Sequence, residues 1–347
     1  MKSATLPVLA TLMLAGCAGQ GGLGVTSLSL DSLLGGMRTA APQPVAEIQA
    51  TACDREAAAE DDSQRAQGVV PVKWDDLKAS AAIAACEQAL LDHPGHPRLL
   101  YQLGRGYQKA YRYADAAAAN RQAAAAGYTY AVYTMGWFHE QGYGVPRDLG
   151  MAESWYRKAA AMGHGAAWKN IGQLYLVHDE NRNLDKAADA FAHPAKAGDP
   201  VAMGVLAYVL RERDGRGDKE RALDWSVKAA QAGNTTGMLL AGHYYNDRKD
   251  RQSALRWYQQ AADKGQPTAM YMVGQYWHYG LGVPKDTRRA LQYYERAANE
   301  GFATAAVQAA MIHAKGDGVP KDERKAMHWL QAGAPSKPAA IQEGRAP

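Results

Sequence analysis

Three cysteines, ten histidines and a run of regularly spaced aromatic residues are the groups of this chain that could do chemistry. Cys53 and Cys86 make neither a CxxC redox pair nor a zinc set, because no cysteine follows them and the histidines are scattered. Each lies in an alanine-rich stretch of helical pattern, AEIQATACDREAAAE and AAIAACEQAL. A disulfide between a short leading helix and the next one is the expectation. Two separate buried thiols are the alternative, since free cysteine is a good small core residue.

Nucleophile and metal motifs are not found: there is no GxSxG, SxxK, HExxH or P-loop. His139-Glu140 opens like a metallopeptidase helix, but Tyr143 stands where the second His is required. His139 and His313 share a slot that Tyr175, Tyr245 and Trp277 fill elsewhere, which reads as an aromatic-like core position, with metal binding the alternative. Acidic pairs have no fixed separation, so no glycosidase pair can be assigned. No metal or cofactor is expected. The net charge of +4 is spread along the chain without a basic block, which argues against nucleic acid as a partner.

Two series of small residues say what must position these groups. One runs Gly104, Gly136, Gly172, Ala207, Gly242, Gly274 and Ala310, at intervals of 32, 36, 35, 35, 32 and 36 residues. The other runs Gly127, Gly163, Gly198, Gly233, Gly265 and Gly301, at 36, 35, 35, 32 and 36. A period of this length marks stacked units that bury their faces on one another. The first series lets two helices of a hairpin approach closely, and the second fits a left-handed helix end before the next hairpin. Between them, runs such as Trp155-Tyr156-Arg157-Lys158-Ala159-Ala160 place an aromatic ring and two alanines on one helical face. Three connections carry GxGVPxD, at 142–148, 280–286 and 316–322. Their glycines permit a sharp reversal, Val seals the loop on the core, and Asp can cap the next helix.

This pattern resembles the Sel1-like repeat, a relative of the tetratricopeptide repeat with a longer loop between its helices. Units at 130–163, 267–301 and 303–333 carry it almost completely, and 98–127 resembles a plain tetratricopeptide hairpin. Units 166–198 and 200–233 hold HDENRNLD and RERDGRGD in place of the glycine loop, and 236–265 shortens it to NDRKDR. The resemblance implies an all-α solenoid of seven hairpins over 98–333 in a right-handed superhelix. It also implies a non-enzymatic interaction scaffold or regulatory adaptor. The alternative is an enzyme or binding protein acting on cell-wall or secreted polysaccharide.

At the N-terminus, a lysine, an apolar stretch too short to span a bilayer and the tetrapeptide Leu14-Ala15-Gly16-Cys17 resemble the lipobox of bacterial lipoproteins. That resemblance implies removal of 1–16, lipid on Cys17 and, with Ala18 following, an outer-membrane anchor with the body facing the periplasm. An ordinary signal peptide with an incidental Cys17 is the other reading. Residues 17–44 read as a flexible tether, 45–97 as a helical cap whose second helix starts at Asp75 or Asp76, and 334–347 as a disordered tail.

By resemblance to the tetratricopeptide groove, first-helix residues three before and one, four and five after the small residue face the concave side. They include Tyr101, Arg105, Lys109, Tyr133, Trp137, Gln141, Lys169 and Gln173, then Tyr208, Arg211, His243, Asn246, Tyr271, Gln275, His278 and Tyr279. Rings mixed with amides and few charges suit an envelope or secreted protein or peptide, and a polysaccharide chain as well. The alternative is that several of these rings pack between neighbouring hairpins.

Overall fold

The computed structural model describes residues 47–178 and 182–333. Cys17, the leader, the tether and the tail lie outside them. Within them all regular structure is helical. A short helix α1 (Ala52–Ala57) and α2 (Ala79–Asp92) lead into seven hairpins. These are α3 (Pro97–Lys109) with α4 (Tyr113–Ala125), α5 (Thr129–Gln141) with α6 (Leu149–Ala161), and α7 (Ala166–Gln173) with α8 (Leu184–Lys196). Then come α9 (Pro200–Arg213) with α10 (Asp218–Gln231), α11 (Thr235–Asp247) with α12 (Arg251–Asp263), α13 (Pro267–Tyr279) with α14 (Thr287–Asn299), and α15 (Ala303–Lys315) with α16 (Glu323–Ala332). Each helix packs on the one before and the one after it, so the array is a stack of hairpins.

The two small-residue series do different jobs. Tyr156, Tyr258 and Tyr294 are fully buried on second helices, with Phe191 nearly so. A Cβ added to Gly136, Gly172, Gly242 or Gly274 would come within 2.4–2.6 Å of the facing ring. The small residue therefore makes room for a ring more than for a helix backbone. In the first unit Asn120 takes the ring's place opposite Gly104. The closing glycines all lie at positive φ, from 82° at Gly301 to 96° at Gly198. The residue after each donates its N–H to a carbonyl five residues back, as His164 does to Ala159 at 3.0 Å. That is the Schellman arrangement, in which glycine avoids the Cβ clash of the left-handed region.

The GxGVPxD loops are built alike. Gly142, Gly280 and Gly316 end the first helix in the left-handed region, and Asp148, Asp286 and Asp322 cap the second through Met151, Arg289 and Lys325 N–H. Val145 and Val319 pack on the core.

The leading segment departs from expectation. α1 spans six residues, opened by a capping box between Thr51 and Asp54. α2 begins at Ala79, and its N-cap is Lys78, which makes no side-chain capping bond. Asp75 and Asp76 sit in the turn before it and do not cap the helix. Cys53 and Cys86 are disulfide-bonded with Cα atoms 4.4 Å apart, within the normal span for such a bridge.

Candidate interaction groove

The first helices of successive units present the residues in question, and their surroundings divide them into three groups. At the first unit the groove positions are covered. Tyr101 and Arg105 are buried under the chain's own residues 57–74. Arg105 Nη1 and Nη2 donate to the Ala57 and Val72 carbonyls at 2.6 and 3.3 Å, and Lys109 Nζ donates to the Trp74 carbonyl at 2.9 Å. One turn earlier, Arg98 and Gln102 clamp the buried Asp54 carboxylate, at 2.9 and 3.0 Å. Tyr101 and Arg105 therefore do not line an open groove, because Tyr101 packs against Tyr128 and Tyr130 and the leading segment supplies the acceptors for Arg105.

In the second group the rings pack on the second helix of their own hairpin, and Tyr133 and Tyr271 also reach the next unit. Tyr133 lies 5.5 Å from Tyr156 and 4.2 Å from His164, and its hydroxyl accepts from Asn170 at 3.0 Å. Tyr271 contacts Tyr294 and Phe302 in the same way and accepts from Gln275 at 2.9 Å. His243 meets the Tyr258 hydroxyl through Nδ1 at 3.0 Å, and burial, helped by Arg211, pushes its pKa down. His278 stacks on Tyr279 at 4.7 Å and is also pushed down by burial.

The third group is open. Trp137 is half-buried, its ring set edge-on to Tyr143, which itself stacks on Tyr113 at 4.4 Å. Gln141 and Gln173 are exposed, as are Tyr208 and Tyr279 at 38% and 59%. Lys169 is tied to Asp199 at 2.9 Å, and Arg211 lies over the Tyr244 ring. Asn246 accepts from Tyr276 at 2.6 Å, which links two first helices along the stripe.

Residues outside the expected register matter most at the first unit: Asp54, Asp62, Arg98, Gln102 and Tyr128. A signal was present. Arg98, Gln102, Arg105 and Lys109 follow one another at intervals of four, three and four, a polar stripe down one helical face that later units do not repeat. Among the described residues, no group of three or more His, Cys, Asp or Glu could hold a metal ion. His313 is buried and faces Glu295 at 3.0 Å, whereas His139 is half-buried.

A stack of antiparallel helical hairpins with a ring against a glycine in most units is an α-solenoid. The Sel1 repeat family matches it at residues 129–164, 200–234, 238–266, 267–302 and 303–334, so the chain carries a Sel1-like repeat region. Residues 98–127 and 166–198 fall outside those matches. A Sel1 repeat protein from Oxalobacter formigenes is 25% identical, with a TM-score of 0.55 over 69% of this chain and 98% of that one. A protective antigen of uropathogenic Escherichia coli with an SLR fold is 25% identical, with a TM-score of 0.42 over 77% of this chain and 66% of that one. No curated protein matches.

Proposed function

We propose that this protein is a non-enzymatic interaction scaffold held at the bacterial cell envelope by lipid on Cys17, its repeat stack facing the periplasm and gripping an envelope or secreted protein or peptide. The observation that carries this reading is the open part of the first-helix stripe. Trp137, Gln173 and Tyr208 one residue after the small residue, and Gln141 and Tyr279 five after it, present rings and amides on units 2, 3, 4 and 6. Large rings with adaptable amides supply contact area at small entropy cost, which is what a protein or peptide groove requires. The disulfide supports an oxidising compartment, and the Leu14-to-Cys17 tetrapeptide supports the anchor. No helix among the described residues is long and apolar enough to cross a membrane.

The test is affinity capture from envelope extract with the full chain and with a Trp137→Ala, Tyr208→Ala, Tyr279→Ala variant of equal helicity. A partner recovered only by the parent supports the groove, and equal recovery by both rejects this face. Intact mass of membrane-extracted protein tests the anchor, since a free Cys17 thiol would end that part of the reading.

A further inference from the structure

The segment that covers the first unit's groove is held in an unusual manner for a structural cap. Residues 58–78 contain no helix, and Val70 and Trp74 within them are 80% and 40% exposed. The Val72 and Trp74 carbonyls accept from Arg105 and Lys109, groove positions of α3. Farther along, the Tyr128 hydroxyl donates to the buried Asp62 carboxylate at 2.5 Å. Gln64 Oε1 accepts the Thr129 N–H at 2.9 Å, one of the donors that the start of α5 leaves without a helical partner. The strap thus crosses from the first unit to the second on polar contacts at its rim, with Ala58, Ala59 and Ala66 buried beneath it. Its two ends are fixed by α2 and, through Cys53, by the disulfide.

The charge is complementary as well. α3 sets Arg105 and Lys109 on this face with no acid in the helix, while the strap brings an acidic cluster, Glu60, Asp61 and Asp62, at its start and Arg65 and Lys73 farther along. The geometry points to a second peptide site at units 1 and 2, formed by Arg105, Lys109, Tyr128 and the Thr129 N–H, and filled in cis by residues 58–74. Its ligand class is a peptide carrying an acidic cluster, offering carbonyls to the two cations and a carboxylate to Tyr128. The tethered strap is then a built-in competitor: an incoming peptide binds only to the fraction of molecules whose strap has lifted, so its apparent affinity falls by that fraction. Asp54, pinned beside the disulfide, stays in place when the strap lifts.

The site is separate from the open groove of units 2 to 6, and its test needs no natural partner. A fluorescein-labelled peptide of residues 58–76 serves as the probe, titrated by anisotropy into the full oxidised chain. In a second chain Asp62→Ala and Gln64→Ala weaken the strap and leave the groove intact. The opened chain is expected to bind the probe about tenfold more tightly or better, and Arg105→Ala in that background should abolish binding. Equal affinity of parent and opened chain, or indifference to Arg105→Ala, would overturn the proposal. Hydrogen exchange on the same two chains guards against misfolding. Faster exchange confined to 58–74 is expected, whereas joint loss of protection in α3, α4 and α5 would show the segment to be structural and sink the idea.

Discussion

In unit 2 the chain reverses between its helices on two left-handed glycines, whereas in unit 4 the corresponding turn is held by a carboxylate among arginines. Gly142 and Gly144 have φ of 77° and 68°, and a Cβ on Gly144 would lie 2.0 Å from the Tyr113 carbonyl oxygen. The loop is pressed against the start of the preceding unit's second helix, and Gly282 and Gly318 press on Arg251 and Thr287 in the same way. In unit 4, Asp218 is fully buried and accepts from Arg213 at 2.7 and 2.8 Å and from the Gly215 N–H, with Arg221 also upon it. One solution uses backbone shape and joins neighbouring units. The other uses charge, with its buried carboxylate closing one hairpin and Arg213 reaching the exposed Asp185 of unit 3 at 2.9 Å, so the two should fail under different conditions.

The largest effect is expected from Gly144→Ala. The clashing atom is backbone and cannot swing away, and alanine resists positive φ, so about 3–5 kcal/mol should be lost. Urea unfolding followed by hydrogen exchange should show units 1 and 2 loosening together. Loss of less than about 1 kcal/mol would mean the loop does not fix the neighbouring unit.

Next comes Asp218→Asn, expected to cost about 2–3 kcal/mol at neutral pH by leaving Arg213 only the exposed Asp185 as a charged partner. Hydrogen bonding by Arg213 holds the Asp218 pKa down to about 2 in the folded chain. A depressed carboxylate stabilises above its unfolded pKa and loses that contribution as pH falls through the folded one. The parent's advantage over the variant should therefore shrink between about pH 4 and pH 2, read from thermal melts across that range. A difference that stays constant down to pH 2 would show that ionisation of Asp218 is not its source.

A smaller change sharpens the contrast. Gly217 in unit 4 also has positive φ, 77°, yet nothing lies within 4 Å of its would-be Cβ. Gly217→Ala should cost only the backbone penalty, roughly 1–2 kcal/mol. If it proved as damaging as Gly144→Ala, the distinction between a pressed loop and a free one would be wrong. The smallest effect should follow Asp286→Ala in unit 6, about 1 kcal/mol for a lost N-cap, visible as faster exchange at the start of α14.

Much of this architecture is legible without coordinates because its causes are local. Closing glycines are readable since a left-handed residue next to an apolar helical run tolerates little else, and the capping aspartates of the GxGVPxD loops follow from loop chemistry. The Asp75-Asp76 pair misleads for the same reason: it has capping chemistry, yet the helix begins three residues later. The groove is legible only in part. Register places Trp137 and Tyr208 on the correct helices, but whether a ring stands open depends on the neighbouring hairpin. Tyr133 is taken up by Tyr156 and His164, while Tyr208 stays exposed.

By itself, then, the sequence determined the repeat, the closing glycines and the loop caps, because these depend on residues within about one turn or one unit of each other. Only the tertiary structure decided what covers the first unit. The contacts from Asp54 to Gln102, from Val72 to Arg105 and from Asp62 to Tyr128 join residues 48, 33 and 66 positions apart. The donors Arg98, Gln102 and Arg105 show as a stripe, but their partners Asp54 and Val72 follow no period that would announce them. A buried carboxylate or carbonyl takes whichever donor the fold brings within reach, and that choice is made in space.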